Sequence, residues 1–321
     1  MKKRKLGRTG LEVSELGFGA WAIGGTSYGP TDDRQSRRAL AHAYDQGINF
    51  FDTADTYGHG HSEQLIGEAF RMSSKRSRIV IATKVGWDFY HGGSRKNFDS
   101  EYLVFACGES LKRLQMDYID LYQLHNPTLA AIREGTVFKV LRQLKKEGKI
   151  RFWGVSIHSS EEGMAVIREG SSDTLQAVYH LIDQRHRSEL MPACQKENVG
   201  LIVREPLHCG MLTGKYNAQS QFVKTDHRSG WGEDQLELDF RKIDLIRTAF
   251  DEKKVSLKQA AIEFVLGEQA VSSVIPGMKT VAHVEDHLSA VRSPKLKADE
   301  INRIKSIFDQ EKIFQTDLVA G

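Results

Sequence analysis

The spacing of apolar and polar residues changes period again and again along this chain. Short apolar runs bounded by glycine or charge give way to longer stretches in which apolar residues recur every third or fourth position. The short runs read as β-strands and the longer stretches as amphipathic helices. The predicted strands are residues 16–19, 48–53, 79–83, 118–124, 151–156, 175–181, 200–204 and 271–275. Ahead of them, residues 3–13 read as a hairpin turning at Arg8-Thr9-Gly10. Asp32 with Gln35, Ser159 with Glu162 and Ser256 with Gln259 have the spacing of helix-opening capping boxes. Leu257, Ala260, Ala261, Phe264 and Val265 fall on one helical stripe, and Leu103, Ala106, Cys107, Ser110, Leu111 and Leu114 on another.

Strands alternating with helices in one run, without a linker-like segment or an internal repeat, predict a (β/α)8 TIM barrel. The N-terminal hairpin precedes it, and residues 1–321 form a single domain. Three stretches break the alternation. Residues 86–99 carry Trp87, Phe89, Tyr90 and His91, residues 218–235 carry Phe222 and Trp231, and the third follows Phe308. Loops of this length in a compact domain are usually functional, and their aromatic content predicts pocket walls at the C-terminal face of the barrel.

Three predicted strands end on an ionisable residue. Ile48-Asn49-Phe50-Phe51 runs into Asp52, with Tyr57 following; Ile79-Val80-Ile81-Ala82-Thr83 runs into Lys84; Ile119-Asp120-Leu121-Tyr122-Gln123-Leu124 runs into His125. Strands joined through helices pair in parallel, so their C-terminal ends share the rim where barrel enzymes hold their active sites. Singly, each residue has a structural explanation: a turn cap, a snorkelling lysine, a satisfied core histidine, a rim aromatic. Four of them at adjacent strand ends would be costly to bury without mutual pairing. A lysine beside a tyrosine favours the phenolate and lowers the phenol pKa, while a nearby carboxylate keeps that lysine charged. The phenol is then a usable proton donor, and an imidazole can orient a carbonyl oxygen. This is acid machinery for carbonyl reduction. It has no nucleophilic serine or cysteine and no carboxylate–histidine cluster, so no metal is expected.

Charge and cysteine usage narrow the partners. A net charge of +3 is too small for a nucleic-acid footprint, and Lys2-Lys3-Arg4-Lys5 reads as a charged strand edge. No apolar run approaches the roughly 20 residues a membrane helix needs, and the first residues lack the apolar core of a signal peptide. Cys107, Cys194 and Cys209 are isolated, which predicts neither disulfides nor zinc and suits a reducing, cytoplasmic compartment. Gly17-Phe18-Gly19-Ala20-Trp21-Ala22 fits a dinucleotide-binding glycine motif, but that motif counts only where it opens a helix, and loop-like residues 24–30 follow.

The strand-end residues carry a resemblance. Gly47-Ile48-Asn49-Phe50-Phe51-Asp52-Thr53-Ala54 with Tyr57-Gly58, Ala82-Thr83-Lys84, the run into His125, Gly154-Val155-Ser156, Pro206-Leu207, Gly210-Met211-Leu212-Thr213-Gly214-Lys215-Tyr216 and Ser273-Val274-Ile275-Pro276-Gly277 come in the order of an aldo-keto reductase. The resemblance implies a nicotinamide-dependent oxidoreductase with an Asp52-Tyr57-Lys84-His125 tetrad, the tyrosine as general acid and hydride passing from the nicotinamide to the carbonyl carbon. It places Ser156 and Gln176 at the carboxamide. Leu207, Gly210, Leu212, Thr213, Gly214 and Lys215 stand around the pyrophosphate with Pro206 beside them. It implies cofactor contacts after the last strand from Gly277, Lys279, His283 and His287. Arg204 stands where many members stack a tyrosine on the nicotinamide, and Ile157 where members often have asparagine.

NADPH is the expected cofactor and NADH an alternative, with Lys279 the candidate for the 2′-phosphate. Trp21 and Trp87 should wall a substrate site with Tyr57 and His125, and the partner is a small-molecule carbonyl compound. The sequence leaves the physiological substrate and the oligomeric state open. It leaves two other readings as well: a cofactor-holding regulatory module with little turnover, as in channel-associated relatives, and a lyase or aldolase forming a Schiff base on Lys84.

Overall fold

The structure, a computed structural model, describes residues 1–71, 75–293 and 295–315. Parallel strands form the barrel wall: β1 (Phe18–Gly19), β2 (Phe50–Asp52), β3 (Val80–Val85), β4 (Ile119–His125), β5 (Ile150–Ser156), β6 (Thr174–Val178), β7 (Gly200–Arg204) and β8 (Val271–Ile275). Each strand pairs with the next in chain order. The seam between β8 and β1 is closed by Gly17 N–H donating to Val274 O at 2.8 Å and Gly19 N–H donating to Pro276 O at 3.0 Å.

That closure explains the glycines. A Cβ on Gly19 would lie 2.7 Å from both Ile275 O and Pro276 O, and one on Gly17 would lie 2.8 Å from the Phe50 ring. The motif is followed by a short 3-10 turn, Ala22–Gly24, rather than an α-helix. Its glycines serve close strand approach.

Alternation along each strand sorts two apolar populations. Phe50, Val80, Ala82, Leu121, Ile202 and Ile275 cluster with Leu6 and Val13 of the N-terminal hairpin (Lys3–Lys5 with Glu12–Ser14), which plugs one end of the barrel. Asn49 pins that plug, its side chain accepting from Ser14 N–H at 2.6 Å and donating to Glu12 O at 2.8 Å. Outward-facing Phe51, Ile81, Tyr122 and Trp153 pack under the helices instead. Ser159 and Ser256 form complete capping boxes, whereas Asp32 caps in one direction only, accepting from Gln35 N–H.

The predicted and observed elements differ mainly at strand ends. The sixth strand stops at Val178, because His180 and Asp183 exchange backbone hydrogen bonds in a tight turn. Residues 86–99 contain a small hairpin pairing Trp87–Asp88 with Arg95–Lys96. Residues 218–235 hold the turn His227–Gly230 and the start of the helix Glu233–Arg247. Beyond Phe308, a helix runs on to Gln310 and the turn Lys312–Phe314 follows; residues 316–321 lie outside the described residues. Among the described residues, no helix is long and apolar enough to cross a membrane.

Candidate active site

Strand register delivers the tetrad. Asp52 ends β2 and pairs with Ala82 of β3, Lys84 of β3 pairs with Gln123 of β4, and His125 of β4 pairs with Ser156 of β5. Ser156 in turn pairs with Gln176 of β6, so these side chains occupy one rim. The Lys84 ammonium is 1 % exposed and donates to Asp52 Oδ1 at 2.5 Å, Thr53 O at 2.8 Å and the Tyr57 hydroxyl at 3.5 Å. The other Asp52 oxygen accepts from Gln176 Nε2 at 2.8 Å and Gln123 Nε2 at 3.1 Å. The Tyr57 ring meets His125 edge-on at 5.9 Å and Trp21 in a stacked arrangement at 5.9 Å.

Burial and charge oppose one another here. Burial would depress the Lys84 pKa, but the Asp52 carboxylate and the Tyr57 oxygen more than reverse this, and the ammonium is stabilised. Burial raises the Tyr57 pKa and outweighs the lowering by Lys84. The phenol therefore differs from the expectation of a net lowered pKa: it is held protonated, ready to donate. Burial, aided by the Lys84 and Arg204 charges, pushes His125 well below its ordinary value, so the imidazole is neutral. Its Nδ1 is buried without a hydrogen-bond partner.

A cavity of about 310 Å³ runs from Tyr57 along the rim to the last strand. Of the expected cofactor residues, Gln176, Arg204, Pro206, Leu207, Gly210, Thr213, Lys215, Gly277, Lys279, His283 and His287 line it. Ser156, Leu212 and Gly214 do not, and Leu212 is fully buried. Trp21 lines the cavity, while His125 and Trp87 stand outside its lining. The Trp87 ring lies instead against Lys96, with the ammonium 5.8 Å from its centroid. Arg204 forms an ion pair with Glu205 and donates to Ile157 O at 3.3 Å. Lys279 donates to Tyr28 O at 2.9 Å, tying the loop after β1 to the far side of the cavity.

The residues fit a nicotinamide dinucleotide. Ser156 Oγ and His287 Nδ1 are both buried without a protein partner. His287 donates through Nε2 to Gly277 O at 3.2 Å, and burial pushes its pKa down to about 4, which leaves Nδ1 as a free acceptor for a base amine. Gln176 spends its amino group on Asp52 and Gln123, leaving its carbonyl oxygen for a carboxamide. After Leu207 the chain winds through His208, Cys209 and Gly210 at φ of 45°, 51° and 101°. Such left-handed backbone shapes anion-binding concavities. A Cβ on Gly210 would also meet Arg228 Nη1 at 3.1 Å.

Several contributors escape sequence reasoning. Gln123 sits inside an apolar strand, where its polarity is the one available signal. Tyr28, Cys209, Arg228 and Asp286 line the cavity from separate loops and a helix. Arg228 is boxed by Phe222 at 4.2 Å, Tyr216 at 4.9 Å and Tyr28 at 5.3 Å, so the long loop does contribute aromatic packing.

Comparison with known proteins finds relatives that share this fold. The model of the Aldo/keto reductase family matches residues 15–309. The chain is 32% identical over 308 residues to a probable voltage-gated potassium channel subunit beta of Arabidopsis thaliana, covering 91% of each. It is 30% identical to the NADH-specific methylglyoxal reductase of Escherichia coli, covering 93% of this chain and 96% of that one. The holo form of the aldo-keto reductase AKR11C1 from Bacillus halodurans superposes with a TM-score of 0.81 at 30% identity, covering 96% of each chain.

Proposed function

The chain belongs to the aldo/keto reductase family of NAD(P)H-using oxidoreductases, and from that premise we propose that it reduces aldehyde or ketone carbonyls to alcohols with Tyr57 as general acid. NADPH is the expected reductant and NADH the alternative. One observation carries the reading: the Tyr57 hydroxyl lies 3.5 Å from a buried ammonium that Asp52 holds charged.

A bound nicotinamide supplies hydride to the carbonyl carbon. The chain's own part is to manage the oxygen. His125, neutral, donates a hydrogen bond that orients the carbonyl. Tyr57 transfers its phenolic proton to the oxygen as charge develops there. The phenolate left behind is stabilised by Lys84, and Asp52, clamped by Gln123 and Gln176, fixes Lys84. Ser156 and Gln176 hold the carboxamide, and Arg204 borders the nicotinamide end. Pro206, Leu207, Gly210, Leu212, Thr213, Gly214 and Lys215 shape the pyrophosphate loop. Gly277, His283 and His287 flank the adenosine, with Lys279 nearest the 2′-phosphate. Trp21 walls the substrate against Tyr57, and Trp87 contributes from the rim of the small hairpin. We read the chain as one domain, and its three unpaired cysteines suit a reducing, cytoplasmic setting.

The regulatory-module reading draws support from the channel-subunit relative. The Schiff-base reading requires a neutral Lys84, against which the Asp52 pairing argues. A panel of aldehydes and ketones assayed with NADPH and NADH in turn, following cofactor oxidation, separates all three. Carbonyl-dependent oxidation supports the reductase. Tight cofactor binding without oxidation by any carbonyl supports the module. Borohydride trapping on Lys84 without cofactor supports the lyase.

A further inference from the structure

The small hairpin after β3 brings an uncancelled charge to the catalytic rim. Gly86, which follows β3, lies against the end of β4: a Cβ there would stand 3.4 Å from His125 O. The Gly86 carbonyl accepts from Asn97 N–H at 2.9 Å, and Tyr102 donates to Trp87 O at 2.9 Å, so the hairpin is fastened beside His125. Lys96, next to Asn97, pairs with Trp87 across the hairpin and is exposed. The other cations around it are spent. Lys84 pairs with Asp52, Arg204 with Glu205, and Arg95 of the same hairpin lies 3.9 Å from Asp88. Lys96 forms no ion pair among the described residues, and its ammonium stands 5.8 Å from the Trp87 ring centroid.

That charge reaches the catalytic ring. After burial, Lys84, Arg204, His158 and Lys96, in that order, all push the His125 pKa down. His158 is lowered by burial and then by Arg204, and Lys96 adds to this against Glu162 and Glu205. A rim with an excess of one sign draws substrates of the other. A single free ammonium on a flexible stem matches a single negative charge, so a carboxylate suits it better than a phosphate dianion. Trp21, stacked on Tyr57 at 5.9 Å, offers an apolar face for the body of such a compound.

We infer that the catalytic rim selects carbonyl compounds carrying a carboxylate away from the reacting carbon, with Lys96 as the specificity-determining residue. The inference rests on the reductase reading. Hydride from the nicotinamide reaches the carbonyl carbon and the Tyr57 proton its oxygen, so an aldehyde becomes an alcohol and the carboxylate passes through unchanged. The test compares 4-carboxybenzaldehyde with 4-carbamoylbenzaldehyde, similar in shape and different in charge, as the ratio of their kcat/KM values on the full chain. A ratio cancels any general loss of activity. Lys96→Met should lower it by about two- to five-fold, the span of an exposed ion pair, and Lys96→Glu should lower it further. Added sodium chloride should lower the wild-type ratio more than that of Lys96→Met. Arg95→Met, which removes a neighbouring charge already facing Asp88, should keep the wild-type ratio. An unchanged ratio in both Lys96 variants, an equal drop in Arg95→Met, or a wild-type ratio insensitive to salt overturns the inference, while turnover of the amide leaves the reductase reading standing. No turnover of either aldehyde with NADPH or NADH removes that reading and this inference with it.

Discussion

Asp52 ends β2 and Asp55 lies on the turn that follows, and both are buried, yet their partners differ sharply. Asp52 receives an ammonium and two side-chain amides. Neither carboxyl oxygen of Asp55 has a side-chain hydrogen-bond partner. Burial, reinforced by the Glu63 charge, pushes its pKa well above the ordinary value, and Arg113 and Lys84 only partly oppose this. Burial is common to the two acids, so it does not decide which one serves the chemistry. The partners decide. Asp52 can anchor a charged lysine beneath the phenol, whereas Asp55, its pKa pushed up by burial, sits at the edge of the Glu63–Arg113 pair.

Breaking the better-built half should have the largest effect. Lys84→Met strands Asp52 as an uncompensated buried charge, a defect that costs about 3–5 kcal/mol. It also removes the cation that stabilises the Tyr57 phenolate. Chemical denaturation and steady-state turnover should fall together; unchanged turnover in a folded variant would remove Lys84 from the tetrad. A milder break is Gln123→Leu, which deletes one amide donor to Asp52. Losing a hydrogen bond to a charged group costs roughly 1.5–3 kcal/mol, so denaturation should show a smaller loss than for Lys84→Met. A loss equal to that of Lys84→Met would mean the amide clamp matters as much as the ion pair.

Asp55→Asn should shift stability the other way. The folded pKa of Asp55 lies above its ordinary value of 3.8. Between the two values the folded chain keeps a proton that the unfolded chain has released, so stability declines as pH rises through that window. Asparagine does not titrate. The variant should gain on the order of 1 kcal/mol at neutral pH and lose that advantage near the unfolded pKa. Melting curves across the acid range check this; an advantage that does not vary with pH would show that the folded pKa of Asp55 is not raised.

The contrast also marks how far sequence reading reaches. The tetrad was legible because apolar runs end on ionisable residues, and parallel pairing forces those ends together. The difference between Asp52 and Asp55 was not legible, because it depends on amides contributed by β4 and β6 at matching register. The net effect on Tyr57 was hidden for a related reason: residue types show the lysine but not the extent of burial that outweighs it. A cavity of about 520 Å³ on the other side of Arg204 and Glu205 draws His158, His180, His208, Asp239 and Phe314 from separate segments, which no motif spacing links. Trp87 follows its strand as expected, yet the small hairpin sets its ring against Lys96.

The most direct test of Tyr57 as proton donor is Tyr57→Phe, which deletes one hydroxyl and keeps the ring. Turnover of an accepted aldehyde should be measured at saturating cofactor, alongside a cofactor fluorescence titration. The titration should match the wild type, since no proposed cofactor contact uses that hydroxyl, while turnover falls by roughly 10²–10⁴-fold, as expected for a positioned acid. Near-wild-type turnover with intact cofactor binding would place the proton donor elsewhere and contradict the account.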